Sequence, residues 1–164
     1  MPRSKAPNNP NPPPPIDAPG RRRLPILLRH AWFNLNQTFR RRLARTGLTP
    51  DQFTALRTLL EHEPQGLTQS ELTRLIASDP NTIGALVERM RRLGWVQRVR
   101  HERDRRAYRL RLLPAGRAQY ERAREIAVVL QTQVLAAWTQ RKREKFLQDL
   151  AWVAERCRAA AEGK

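Results

Sequence analysis

Large apolar residues return at helical spacing along most of this chain. Between Leu24 and Arg45, Leu28, Trp32, Leu35, Phe39 and Leu43 recur at intervals of four, three, four and four. That spacing predicts one helix with a single apolar stripe. His30, Asn34, Gln37 and Arg41 fall on the opposite side and read as a solvated or partner-facing surface, while Asn36 sits at the stripe edge beside Trp32. Thr49-Pro50-Asp51 then supplies an N-cap, a proline at the first helical position and an acid in the first turn. The second helix that follows buries Phe53, Leu56, Leu59 and Leu60 and ends near Glu63-Pro64, where Gly66 turns the chain.

Thr68 and Glu71 stand three apart, the spacing of a capping box. They open a short third helix with Leu72, Leu75 and Ile76 as its buried side. Asp79-Pro80 opens a fourth helix that runs to about Leu93, buries Ile83, Leu86, Val87 and Met90, and is closed by Gly94. Asn81, Thr82, Ala85, Arg89 and Arg92 are left on its outer side. From Trp95 to Arg100 and from Ala107 to Leu113 the pattern changes to alternation. Tyr108, Leu110 and Leu112 interleave with Arg109 and Arg111, which predicts a hairpin with one packed and one wet face. Two long helices follow, over 114–139 with Ile126, Leu130, Val134 and Trp138, and over 141–160 with Phe146, Leu150, Val153 and Cys157.

Charge changes what this pattern means. The 164 residues carry a formal net charge of +17, and 28 of the 32 basic residues are arginine. Arginine offers a planar fork that engages phosphate or guanine through two bonds, so a polyanionic partner is expected. No stretch approaches the roughly 18 consecutive apolar residues of a membrane span, and Pro and Asn stand where a signal peptide would place its apolar run. A single cysteine, Cys157, excludes an internal disulfide framework; on an apolar seam it reads as an inert packed thiol. A cytoplasmic location is expected. Residues 1–22 hold eight of the 13 prolines and run into the basic stretch Arg21-Arg22-Arg23. They read as a disordered, basic arm, either solvated or following phosphates.

A helix with small polar groups in its first turns and cations further along, beside a cationic ribbon, is suited to duplex DNA. On that reading Asn81 and Thr82 face base edges, Arg89 and Arg92 hold phosphates, and Thr68 and Gln69 at the start of the third helix join them. Between Trp95 and Arg111 seven arginines stand against Glu102 and Asp104. Arg103, Arg105 and Arg106 at the tip are candidates for a narrow minor groove, with Asp104 pinning a guanidinium or shaping the turn. His30, His62 and His101 are scattered, so no metal is expected. Nor is a cofactor, and no catalytic constellation is present.

Taken in order, Leu48-Thr49-Pro50-Asp51-Gln52-Phe53, Leu67-Thr68-Gln69-Ser70-Glu71-Leu72, Asn81-Thr82-Ile83 through Met90 and Gly94, and Asp104-Arg105-Arg106-Ala107 followed by Leu112-Leu113-Pro114-Ala115-Gly116-Arg117 resemble the MarR family of winged helix-turn-helix regulators. The resemblance covers about Leu24 to Cys157, and Asp104 with Arg106 matches the wing signature. It implies a mainly α fold with a small β-hairpin wing. Dimerisation helices would occupy 23–47 and 114–160, and a winged helix-turn-helix DNA-binding module 48–113. It further implies a homodimer on a pseudo-palindromic site and a ligand or redox input. Ala85 departs from the basic or polar residue common there, and the reactive cysteine of family peroxide sensors is missing from the first helix. The expectation is a regulator, most simply a repressor, released by a small aromatic or anionic effector held by Trp32, Asn36, Phe39, Arg40 and Phe53. An effector-independent architectural DNA-binding protein is the alternative.

Overall fold

The computed structural model of the chain describes residue 18, residues 23–102, residue 104 and residues 107–163. The described elements are α1 (Leu24–Leu43), a 3-10 turn (Ala44–Thr46), α2 (Pro50–Glu61), β1 (Leu67–Thr68), α3 (Gln69–Leu75), α4 (Pro80–Arg92), β2 (Val96–Arg100), β3 (Tyr108–Leu112), α5 (Pro114–Val134) and α6 (Gln140–Ala161). The described residues divide into two units, one up to Thr38 and one from Phe39 onward. In the first, the described part is helical from Leu24, with Leu24, Ile26, Leu27, Trp32, Phe33 and Leu35 exposed.

In the second unit, α2, α3, α4 and α6 each start at a side-chain cap, whereas α5 opens on Pro114 without one. The Thr49 hydroxyl accepts from the Gln52 N–H at 3.2 Å, and the Gln52 side chain accepts from the Thr49 N–H at 2.9 Å. Gln52 thereby turns the Thr49 N-cap that the sequence predicts into a full capping box. Being fully buried, this amide depends on that bond. The Thr68–Glu71 box forms as predicted, with the Thr68 N–H donating to Glu71 Oε2 at 2.7 Å.

The core gathers Leu43, Leu48, Phe53, Leu56, Leu59, Leu72, Ile83, Val87, Met90, Val96, Leu110 and Tyr120 into one cluster. The predicted hairpin is present as β2 and β3, but β3 is the centre of a three-stranded antiparallel sheet ordered β1-β3-β2. Only Leu67 and Thr68 form β1, paired with Leu110 and Arg109. Two residues have no readable alternation, so the sequence does not signal the third strand.

Two other expectations are corrected. Leu75 is exposed rather than buried, because α3 presents the Leu72–Ile76 side to the core and Leu75 turns away from it. Tyr108 is exposed although Leu110, two residues on, is fully buried, since the hairpin has by then run beyond the edge of the core. The long helices also end earlier than predicted, α1 at Leu43 and α5 at Val134. Cys157 is exposed in the single chain, not packed.

Candidate nucleic-acid interface

α4 separates its residues cleanly by face. Ile83, Val87 and Met90 are buried, whereas Asn81, Thr82, Ala85, Arg89 and Arg92 are all exposed. Its first turn is fixed by Asp79, whose carboxylate accepts from the Thr82 N–H at 2.8 Å. Hydrogen bonds from the Thr82 side chain and backbone hold the Asp79 carboxyl below the usual carboxylate range. Glu88 grips Arg91 at 2.9 and 3.1 Å, so this cation is paired on the flank of the helix, apart from Arg89 and Arg92.

α3 leads into that helix through Ala77, whose φ of 51° is unusual for a residue with a side chain. Of the two residues expected to contact DNA at its start, Thr68 has its hydroxyl and N–H engaged with Glu71. Gln69 reaches outward: its Oε1 accepts a long bond of 3.4 Å from Arg98 on β2. Hydrogen bonds from the Thr68 backbone and side chain, with Arg109 nearby, hold the Glu71 carboxyl low.

The register of the hairpin sorts its arginines. Arg98 pairs with Leu110 and Arg100 with Tyr108, while Arg109 pairs with Val99 and Arg111 with Gln97. Residues directly opposite share a face. Arg98 and Arg100 therefore lie on the side of Leu110, towards the helices, and Arg109 and Arg111 lie on the other side. There Arg109 Nε donates to Glu102 Oε2 at 3.0 Å and its Nη1 to the Gly66 carbonyl at 3.2 Å. Arg111 donates to Glu102 Oε1 at 3.2 Å and to the Gln65 carbonyl at 3.4 Å. These two cations tie the hairpin to the α2–β1 connection and are not available as a cationic surface. Gly66 allows the close approach, since a β-carbon there would lie 2.5 Å from the Leu110 carbonyl oxygen.

At the tip, Asp104 donates its N–H to His101 Nδ1 at 3.2 Å, and its carbonyl accepts from the Ala107 N–H at 3.1 Å. Its backbone thus shapes the turn. Arg103, Arg105 and Arg106 lie outside the described residues.

Of the residues expected to hold an effector, Phe39 meets Phe53 edge-on with ring centroids 5.1 Å apart, and Phe53 stacks on Tyr120 at 5.2 Å. Phe53 is core, Arg40 is exposed, Asn36 is half-buried, and Trp32 is 64% exposed. No group of three or more potential metal ligands occurs among the described residues, and no helix among them is long and apolar enough to cross a membrane.

Residues 46–107 match the family model described as the MarR family. No curated protein matches the sequence. Among solved structures, a probable transcriptional regulator from Pseudomonas aeruginosa is 33% identical, with 79% of this chain and 96% of that one covered at a TM-score of 0.65. The M. tuberculosis transcriptional regulator MOSR in complex with DNA is 29% identical over 84% of this chain and 99% of that one, at 0.67. The S. aureus MepR–DNA complex, 18% identical over 82% and 98%, has the same fold at 0.73.

Proposed function

This chain belongs to the MarR family of transcription regulators, and from that premise we propose that it binds a pseudo-palindromic operator as a homodimer and represses transcription until an effector releases it. It is a regulator and not an enzyme.

One observation carries the DNA reading. α4 is capped by Asp79 and buries Ile83, Val87 and Met90, which leaves a continuous outer row of Asn81, Thr82, Ala85, Arg89 and Arg92. A helix presents its first turns to base edges in the major groove, so Asn81 and Thr82 are the readers, Ala85 takes a thymine methyl, and Arg89 and Arg92 hold phosphates. The wing arginines Arg103, Arg105 and Arg106 are assigned to the flanking minor groove on sequence alone. Two such helices about 34 Å apart meet successive grooves on one side of a duplex. The relative MOSR was crystallised with DNA, in keeping with this reading.

Apolar residues left exposed on α6, namely Phe146, Leu147, Leu150 and Trp152, support the homodimer. Helices 23–47 and 114–160 are assigned to that contact, and 48–113 to the DNA-binding module. The effector class, a small aromatic or anionic molecule, rests on the family resemblance. Coupling of about 1–3 kcal/mol would lower operator affinity 5- to 150-fold.

The deciding experiment compares the protein's own upstream region with random duplex at physiological salt. Binding tighter by about 10³ or more is expected for the regulator. Equal binding would favour the architectural alternative, and absence of binding to either would overturn both. A panel of aromatic carboxylates should include one that raises the melting temperature and releases the operator; a panel with neither effect argues against that effector class.

A further inference from the structure

We propose that Gln69 and Arg98 form a phosphate clamp at the seam between the helices and the wing, so that Arg98 is a further DNA-holding residue beyond the α4 row and the wing tip. The inference rests on the DNA-binding reading above.

Three elements converge at this seam. Gln69 begins α3, Gly84 lies in α4, and Arg98 lies in β2. The Gln69 amide nitrogen sits over Gly84, 3.5 Å from where a β-carbon on that glycine would stand. Its amide oxygen, in turn, accepts from Arg98 Nη2 at 3.4 Å. The side chain of Gln69 therefore spans from the recognition helix to the hairpin, and the absence of a side chain at Gly84 leaves that path open.

The chemistry left over defines the ligand. With Oε1 of Gln69 turned to Arg98, its Nε2 presents amide donors, and Arg98, exposed to solvent, has guanidinium donors beyond the one shared. Neutral amide donors beside a fork of cationic ones suit an oxyanion with several acceptors, which in duplex DNA is a backbone phosphate. Glu88 feels the charge of Arg98, but its carboxylate is hydrogen-bonded at both oxygens by Arg91 and makes no such bond to Arg98. Strand register supplies the contrast. Arg109 and Arg111 face the other way and are tied to Glu102 and to backbone carbonyls, so arginines only one residue apart along β2 and β3 serve opposite purposes.

The test uses the full chain and a fluorescent random-sequence duplex, whose affinity is measured across a salt series. Each phosphate contact contributes about 0.9 to the slope of log affinity against log salt. Arg98→Gln is expected to lower the slope by about that amount, doubled if two subunits contact one duplex. Gln69→Ala should weaken binding with a smaller slope change, and adding Gln69→Ala to Arg98→Gln should cost less than it does alone. Arg109→Gln is the control: it should lower the melting temperature yet leave the slope unchanged. An unaltered slope for Arg98→Gln, in a variant that melts like the wild type, overturns the clamp while leaving the DNA-binding reading intact. Should Arg98→Gln melt early, Arg98→Lys keeps the charge, and loss of slope in that variant would equally refute the assignment to phosphate. Failure of the wild-type protein to bind any duplex overturns both.

Discussion

Gly116, in the first turn of α5, lies against the carbonyl group of Trp95 so closely that a β-carbon would overlap the carbonyl oxygen and come within 3.1 Å of the Trp95 Cα. The same carbonyl accepts the Leu113 N–H at 2.9 Å, so backbone meets backbone where the wing joins the long helix. A side chain at residue 116 must push this junction apart, because the obstructing atoms are main chain and cannot swing away. Gly116→Ala is expected to cost about 1–3 kcal/mol, the usual range for overpacking, read as a lower urea midpoint with an unchanged slope. A variant as stable as the wild type would show that α5 can shift freely against the wing.

On the proposed reading, the outer row of α4 has two roles that mutants should separate. Asn81→Ala should lose about 1–3 kcal/mol on the operator and blur preference at one base position. Arg92→Ala should weaken every sequence alike and flatten the salt dependence. Parallel titrations on operator and random duplex check this, and equal losses from both variants on random DNA would exclude the assignment.

Helix caps make acid stability predictable in sign. Glu71 is held low chiefly by the Thr68 backbone bond, and Asp79 by the Thr82 side chain and backbone. A carboxyl whose folded value lies below its unfolded one stabilises fully above the unfolded value, about 4 for these groups. That stabilisation is lost as pH falls through the depressed folded value. The wild type should therefore weaken as pH drops from about 5 towards 2. Glu71→Gln still offers an acceptor to the Thr68 N–H but does not titrate there, so its stability should fall less over the same window. Urea melts at several pH values measure the difference; identical pH profiles would show that the cap contributes nothing through its charge.

Leu150 and Trp152 are 38% and 65% exposed in the single chain. If a second copy covers α6, a charge there should prevent pairing. Leu150→Asp is expected to halve the sedimenting mass and to reduce operator affinity sharply, because one reading head then binds without its twin. Circular dichroism should remain helical. A Leu150→Asp protein that still sediments as two chains would place the contact elsewhere.

Much of the helical and hairpin module was legible in one dimension because its signals are local. Thr68 with Glu71, Asp79 before Pro80, Gly94, and the alternation around Leu110 each act within a few residues of themselves. The face of α4 follows likewise from spacing alone, since Ile83, Val87 and Met90 can share only one side. The hairpin and the long flanking helices were likewise legible from their spacing; the family order of motifs added only the expectation that they serve as a wing and as dimerisation helices.

Other features depend on partners distant in the chain. Leu67 and Thr68 become a strand only because Leu110 and Arg109 lie beside them, and no two-residue segment can signal that pairing. The hairpin's charge was visible as a sum, but its sorting was not. Strand register points Arg98 towards Gln69 and sets Arg109 and Arg111 on the far side. Glu102 and the carbonyls of Gln65 and Gly66 then engage those two cations. Leu75 and Tyr108 fit their local periods yet stay exposed, because burial requires a facing surface and the core ends before reaching them. Local order thus comes from neighbours along the backbone, whereas the availability of each charged group depends on which remote residues folding brings against it.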